Sequence, residues 1–154
     1  MRLALAIVSV IFICLVCCSS GTDVTGVWET EAEISWPEFY NDFSGRIEMG
    51  VAQYGYEVAG ILRFYKGHVE YSPCPCVYVE EGKVNGDLFT FKIVTCDGSR
   101  TFVAELQYSE HDDKEWLEGT ITKLDSAKAL SITFRKTGDS DTLREKKFDE
   151  GCPK

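Results

Sequence analysis

Histidine is scarce in this chain, with only His68 and His111 among 154 residues. Histidine is the usual acid–base group near neutral pH and the commonest metal ligand, so catalysis and metal binding have little to draw on. The signatures of common enzymes are also missing: no Gly-x-Ser-x-Gly elbow, no phosphate-binding loop and no His-Glu-x-x-His pair occurs. His111 lies in Ser109-Glu110-His111-Asp112-Asp113, without a second ligand motif, and reads as a solvated loop. Asp139-Ser140-Asp141 is too short for a calcium loop. The expectation is a protein that is not an enzyme and has no cofactor or metal. Basic residues are the next deficit. Sixteen Lys and Arg face 25 Asp and Glu, for a net charge of −9. Such a chain repels phosphate backbones, which argues against a nucleic-acid partner. Long apolar runs are missing as well. The longest reaches from Leu3 to Val16, broken by Ser9 and Cys14, and falls short of the ~18–20 residues a spanning helix needs.

That run has another use. One positive charge at Arg2, a short apolar stretch and then small residues form the pattern of an export signal. It covers residues 1–17. Its end, Leu15-Val16-Cys17-Cys18-Ser19-Ser20-Gly21, puts cysteine between the apolar stretch and a small polar spacer. This resembles the lipobox of bacterial lipoproteins, in which a cysteine becomes the mature N-terminus and carries acyl chains. Cys18 fits best, because Leu15 then stands three residues before it; Cys17 fits less well. The resemblance implies lipidation of Cys18, including palmitate-type acylation, with 18–25 as lipidated N-terminus and spacer. It also implies anchoring in the cell envelope, at the outer membrane because Ser19 rather than Asp follows. Cleavage after Ser20, giving a secreted protein, is the alternative.

The remaining ~135 residues are the size of one domain. Cys74, Cys76, Cys96 and Cys152 are an even set in an exported chain and argue for two disulfides. A bridge from Cys74 to Cys76 across Pro75 would close a strained ring. The expectation is that one of these two pairs with Cys96 and the other with Cys152. Zinc is the sharper alternative for Cys-Pro-Cys, but the gap is one residue rather than two.

Short alternating segments fill the rest. Val24 to Trp36 puts Trp28, Ala32, Ile34 and Trp36 on one face, and Arg46–Tyr54, Tyr56–Tyr65 and Val69–Tyr71 follow. Asn85-Gly86 predicts a hairpin between Val77–Val84 and Asp87–Cys96. That register pairs Val84 with Asp87 and sets both Cys74 and Cys76 one step from Cys96; a bulge at Glu81-Gly82 would bring one opposite. Arg100–Tyr108, Trp116–Lys123 and Ala129–Lys136 complete the set, with Ser109–Glu115 as a polar loop. Regular short strands joined by tight turns predict an all-β fold, a small antiparallel up-and-down barrel of about eight strands over residues 26–136. Residues 137–154 form a C-terminal tail, with Thr142–Glu150 as a helical turn or loose segment.

Gly26-Val27-Trp28 opens the first strand and Arg135 lies in the last. This resembles the calycin superfamily, whose barrels begin with Gly-x-Trp and close one end by packing a late-strand Arg or Lys across that Trp. The resemblance implies that Trp28 and Arg135 close the barrel through a cation–π contact. It also implies a calycin-like or lipocalin-like barrel that binds a small apolar ligand. The other reading is a protein-binding module, such as an inhibitor or envelope assembly factor. A barrel filled by Phe89, Phe91, Phe102 and Phe134 would favour the second. Trp36, Phe39, Tyr40 and Phe43 read as a satellite cluster folded beneath their own loop, with a lid over the open end as the alternative.

Overall fold

The computed structural model describes residues 21–39, 43–71, 77–95 and 97–146. Among them are ten strands and one short helix: β1 (Gly26–Thr30), β2 (Ile34–Trp36), β3 (Phe43–Tyr54), β4 (Glu57–Lys66), β5 (Val69–Glu70), β6 (Val77–Asn85), β7 (Leu88–Val94), β8 (Thr101–His111), β9 (Lys114–Lys123), β10 (Ala129–Gly138) and α1 (Ser140–Glu145). The pairing order is β2-β3-β1-β10-β9-β8-β7-β6-β4-β5, and β3 also pairs with β4. That last pairing closes the sheet. Eight strands form an antiparallel, calycin-like barrel with up-and-down connections, while β2 and β5 are short additions at the edges of β3 and β4. Closure removes the exposed edges that would otherwise template aggregation.

Alternation decides what faces inward. Phe89, Phe91 and Ile93 on β7, Phe102, Ala104 and Leu106 on β8, Leu117 and Ile121 on β9, and Ile132 and Phe134 on β10 are all buried. The residues between them are less buried or exposed. A one-residue slip would turn each set to solvent, which is what holds the register.

The segment from Val24 to Trp36 is two strands rather than one. Glu31-Ala32-Glu33 breaks it and is exposed, while β2 leaves β1 and pairs with the start of β3. The hairpin of β6 and β7 is present, shifted by one residue from the sequence expectation. Asn85 opposes Leu88 and Val84 opposes Phe89, so Gly86-Asp87 is the loop. Gly86 has φ of +62° and holds the first central position, as in a type II′ turn, where glycine is required. The bulge expected at Glu81-Gly82 is there. Lys83 opposes Thr90 but Glu80 opposes Lys92, and Glu81 takes φ of +50°. The polar loop from Ser109 to Glu115 is instead a continuation of the β8–β9 hairpin to His111 opposite Lys114. Asp112 and Asp113, both at positive φ, make the two-residue turn, a type I′ geometry that Asp accepts.

The helix α1 lies against the outside of the barrel. Asp139 caps it, accepting from the backbone N–H groups of Asp141 and Thr142 at 3.0 and 2.9 Å. Leu143 covers Val27 and Ile61, an apolar pair separate from the interior. Beside it the buried Glu48 is satisfied by the Lys146 ammonium and by the Tyr65 hydroxyl, which donates at 3.3 Å. Burial, and then the Glu48 charge, push the Tyr65 phenol above its ordinary range.

Candidate binding surfaces at the two barrel ends

Strand direction assigns the loops to two ends. One, the hairpin end, carries residues 22–25, the β3–β4, β6–β7 and β8–β9 turns and the exit of β10. The other carries the β2–β3, β4–β5, β7–β8 and β9–β10 connections; it is called the plug end.

At the hairpin end Trp28 is fully buried, and its indole N–H donates to the Val24 carbonyl at 2.8 Å. Tyr108 meets the indole edge-on with centroids 6.4 Å apart. The cation over Trp28 is Lys136, whose Nζ stands 5.5 Å from the ring. This corrects the expectation for Arg135, which is exposed and opposes Glu29 across the β1–β10 pair. The reason is parity: Phe134 points inward, so Arg135 points out and Lys136 returns to the inside. Lys136 also donates to Glu115 Oε1 at 2.9 Å, and the Tyr108 hydroxyl donates to the same oxygen at 3.0 Å. Burial, followed by that contact with Glu115, pushes the Tyr108 phenol up to about 12. The sequence reading missed Tyr108, Glu115 and Lys136 as a unit. The available signal was that each shares strand parity with a core residue: Leu106, Leu117 and Phe134.

Residues 22–25 are strapped across this end. Thr22 donates to the Asp87 carboxylate, the Val24 N–H to Gln53 Oε1 at 2.9 Å, and the Gln53 N–H to the Thr25 hydroxyl at 3.0 Å. Beyond the strap, Tyr54 and Tyr56 project from the β3–β4 turn, 72% and 65% exposed, and Leu88 beside the β6–β7 turn is 40% exposed.

The plug end is closed differently. Trp36, Phe39 and Phe43 are buried in the main core. Phe39 stacks on Trp36 and on Phe64, with centroids 4.4 and 4.7 Å apart, and Trp36 meets Phe102 edge-on at 4.8 Å. This corrects the expectation of a satellite cluster beneath its own loop: the described aromatics join the main core and form a stopper in the barrel mouth; Tyr40 lies outside the described residues. Arg100 holds the stopper from the β7–β8 turn, its guanidinium donating to the carbonyls of Glu38 and Phe39 at 2.7 and 3.1 Å. The turn itself is built on Asp97, which accepts from the Thr95 hydroxyl at 2.7 Å and from the Ser99 N–H and hydroxyl at 3.0 and 2.8 Å. The Ser99 N–H, then the two hydroxyls, hold the Asp97 carboxyl down to about 2. Beside the stopper is a partly open cleft of about 290 Å³. Trp36, Phe102, Ile121 and Leu130 line it with Lys123 and Lys128. Lys128 reaches Glu38 at 3.5 Å.

Between the ends the described side chains pack the interior. Phe89, Ile93, Leu106 and Phe134 have no accessible surface, and Phe91 and Phe102 have 2% and 1%. A side chain lining a water-sized void would show accessible area, so no such void touches the first four. Among the described residues no cluster of three His, Cys, Asp or Glu is placed to hold a metal. His68 is exposed in the β4–β5 turn, and His111 stacks on Trp116 with centroids 5.1 Å apart. Cys18, Cys74, Cys76, Cys96 and Cys152 lie outside the described residues. No family model, no curated protein and no solved structure matches this chain.

Proposed function

We propose that this chain is an exported, lipid-anchored, non-enzymatic barrel that recognises a protein partner through its exposed surface. The observation that carries this reading is the filled interior. An eight-stranded barrel is just wide enough to be packed by side chains or to hold one small ligand, and here Phe89, Phe91, Phe102 and Phe134 take the space. A protein that packs its own interior makes a rigid platform, and recognition then belongs to the surface. The lipobox resemblance at Cys18 supports the anchor, and the acidic balance of −9 disfavours nucleic acid.

One observation favours a second reading. The cleft beside Trp36 is lined by Trp36, Phe102, Ile121 and Leu130 together with Lys123, Lys128 and Glu38, and Lys123 would suit the anionic head of a small amphiphile. Native mass spectrometry of the purified full chain, with cross-linking in intact envelopes, separates the two. Protein free of small molecules, and cross-links to one discrete partner, are expected. A stoichiometric co-purifying amphiphile, lost on Lys123→Glu, would overturn the first reading in favour of the second.

A further inference from the structure

We infer that the hairpin end seats directly on the lipid surface into which the N-terminal acyl chains insert, so that the barrel stands end-on. This rests on the reading of Cys18 as the lipidated residue. The geometry comes from the strap. Thr22 and Val24 are tied to Asp87 and Gln53, on the two hairpins whose tips carry Leu88, Tyr54 and Tyr56. Three residues lie between Cys18 and Thr22, so four Cα–Cα steps give a reach of at most ~14 Å. The lipid attachment point therefore lies close to those tips. The plug end, at the far side of strands ten to twelve residues long, is directed away.

The side chains at the hairpin end suit a bilayer interface. Tyr54 and Tyr56 flank Gly55 at a hairpin tip and are the two most exposed tyrosines among the described residues. Tyrosine combines an apolar ring with a polar hydroxyl and concentrates at headgroup level. Leu88 adds an aliphatic group on the neighbouring hairpin. Alone these three would bind lipid weakly. Tethered within ~14 Å, they face a high effective concentration of lipid, and weak contacts then suffice. Charge selects the kind of lipid. Glu57, Asp87, Asp112 and Asp113 are exposed at this end, against Lys83 and Lys114. That excess of carboxylates suits zwitterionic headgroups and disfavours an anionic leaflet. At the plug end, Val69 on β5 and Leu124 in the β9–β10 turn are also exposed, but they lie on the side away from the tether.

The test is nuclear magnetic resonance of the full-length acylated protein in phosphatidylcholine nanodiscs containing a headgroup-spin-labelled lipid. Amides of residues 53–57 and 86–89 are expected to lose intensity while those of 66–69 and 124–127 keep it. Adding anionic lipid should weaken the effect. The doubly substituted Tyr54→Ser, Tyr56→Ser protein should keep its acyl chains and its thermal midpoint and lose the selective broadening. Equal broadening of both ends, broadening centred on residues 124–127, or tips buried instead in a self-associated dimer would each overturn the seating. Intact mass of the same sample distinguishes the two failures. A chain without acyl groups refutes the anchor, whereas an acylated chain with unbroadened tips refutes only the seating.

Discussion

The two ends of this barrel are closed by opposite means. The hairpin end is sealed by side chains already fixed on the wall: Trp28, Tyr108, Glu115 and Lys136 come from four registered strands and meet because the sheet is closed. The plug end is sealed by a piece of chain that leaves the wall, turns at Pro37-Glu38 and drops Trp36 and Phe39 into the mouth, where Arg100 fastens it. Wall residues are held by ladders on both sides, whereas the stopper is held by the three-residue β2–β3 pairing and the Arg100 clamp and withdraws more easily. The hairpin end should therefore be the rigid one and the plug end the adjustable one.

The largest effect should come from removing the anchoring ring at each end. Trp28→Ala is expected to cost about 3–5 kcal/mol, because the closed wall cannot collapse around the hole and the Val24 carbonyl loses its donor. Phe39→Ala should cost less, about 2–3 kcal/mol, since the stopper can shift into the space. Urea unfolding of both variants checks the order. A reversed order would mean that the plug, not the wall, limits stability.

Next in size comes the expected pairing of the cysteines. Non-reducing peptide mapping is expected to find Cys76 joined to Cys96. Past the bulge Glu80 opposes Lys92, and the same count along both strands reaches these two positions together. A link closing a loop of this length is worth about 3 kcal/mol. Cys96→Ser should lower stability by that order, and Cys74 would then remain for Cys152. Mapping that joins Cys74 to Cys96 would instead mean that the register changes again beyond Glu80.

How far the sequence could be read follows the same division between wall and excursion. The barrel was legible because period-two alternation is a property of the wall: Phe89, Phe91 and Ile93, or Leu130, Ile132 and Phe134, announce a buried face without further context. The bulge was legible through Glu81-Gly82 and the need to reconcile a hairpin with the cysteines. Asn85-Gly86 marked the turn but not which pair of residues forms the loop, since II′ and I′ turns place glycine differently. The Gly-x-Trp motif points to Arg135 as the cation on Trp28, whereas strand parity selects Lys136. The stopper was visible as a group of aromatics. Its destination depends on a clamp from Arg100, 62 residues from the Glu38 carbonyl, and no local pattern encodes such a contact.

Smaller effects sharpen the comparison locally. Arg100→Ala is expected to cost about 1 kcal/mol, because its charged hydrogen bonds are partly exposed. It should accelerate hydrogen exchange at the Phe39 amide, which donates to the Trp36 carbonyl, without touching Trp28. Lys136→Met should cost about 1–2 kcal/mol, since it strips Glu115 of a partly buried partner. Arg135→Met should stay within about 0.5 kcal/mol. Equal losses at 135 and 136 would undo the parity argument.

The finest contrast is in pH. At the plug end, Asp97 is held down to about 2 from 3.8 by hydrogen bonds to its charged form. A depressed folded-state pKa contributes stability that is present above the unfolded value and is lost as pH falls from 3.8 toward 2. At the hairpin end, Tyr108 is pushed up from 10.0 to about 12, chiefly by burial and then by Glu115. A raised pKa means a contribution that is complete below 10 and is lost as pH rises toward 12. The two ends should therefore loosen at opposite extremes. Acid should free the stopper first, through the Asp97 turn that presents Arg100, and alkali should disturb Trp28 first. Site-resolved hydrogen exchange, corrected for intrinsic rates, can follow the Phe39 and Trp28 amides across both windows. Asp97→Asn should flatten the acid response at Phe39 alone, and Tyr108→Phe the alkaline response at Trp28 alone. If either substitution flattens both, the ends are not independent, and the wall transmits what happens at one mouth to the other.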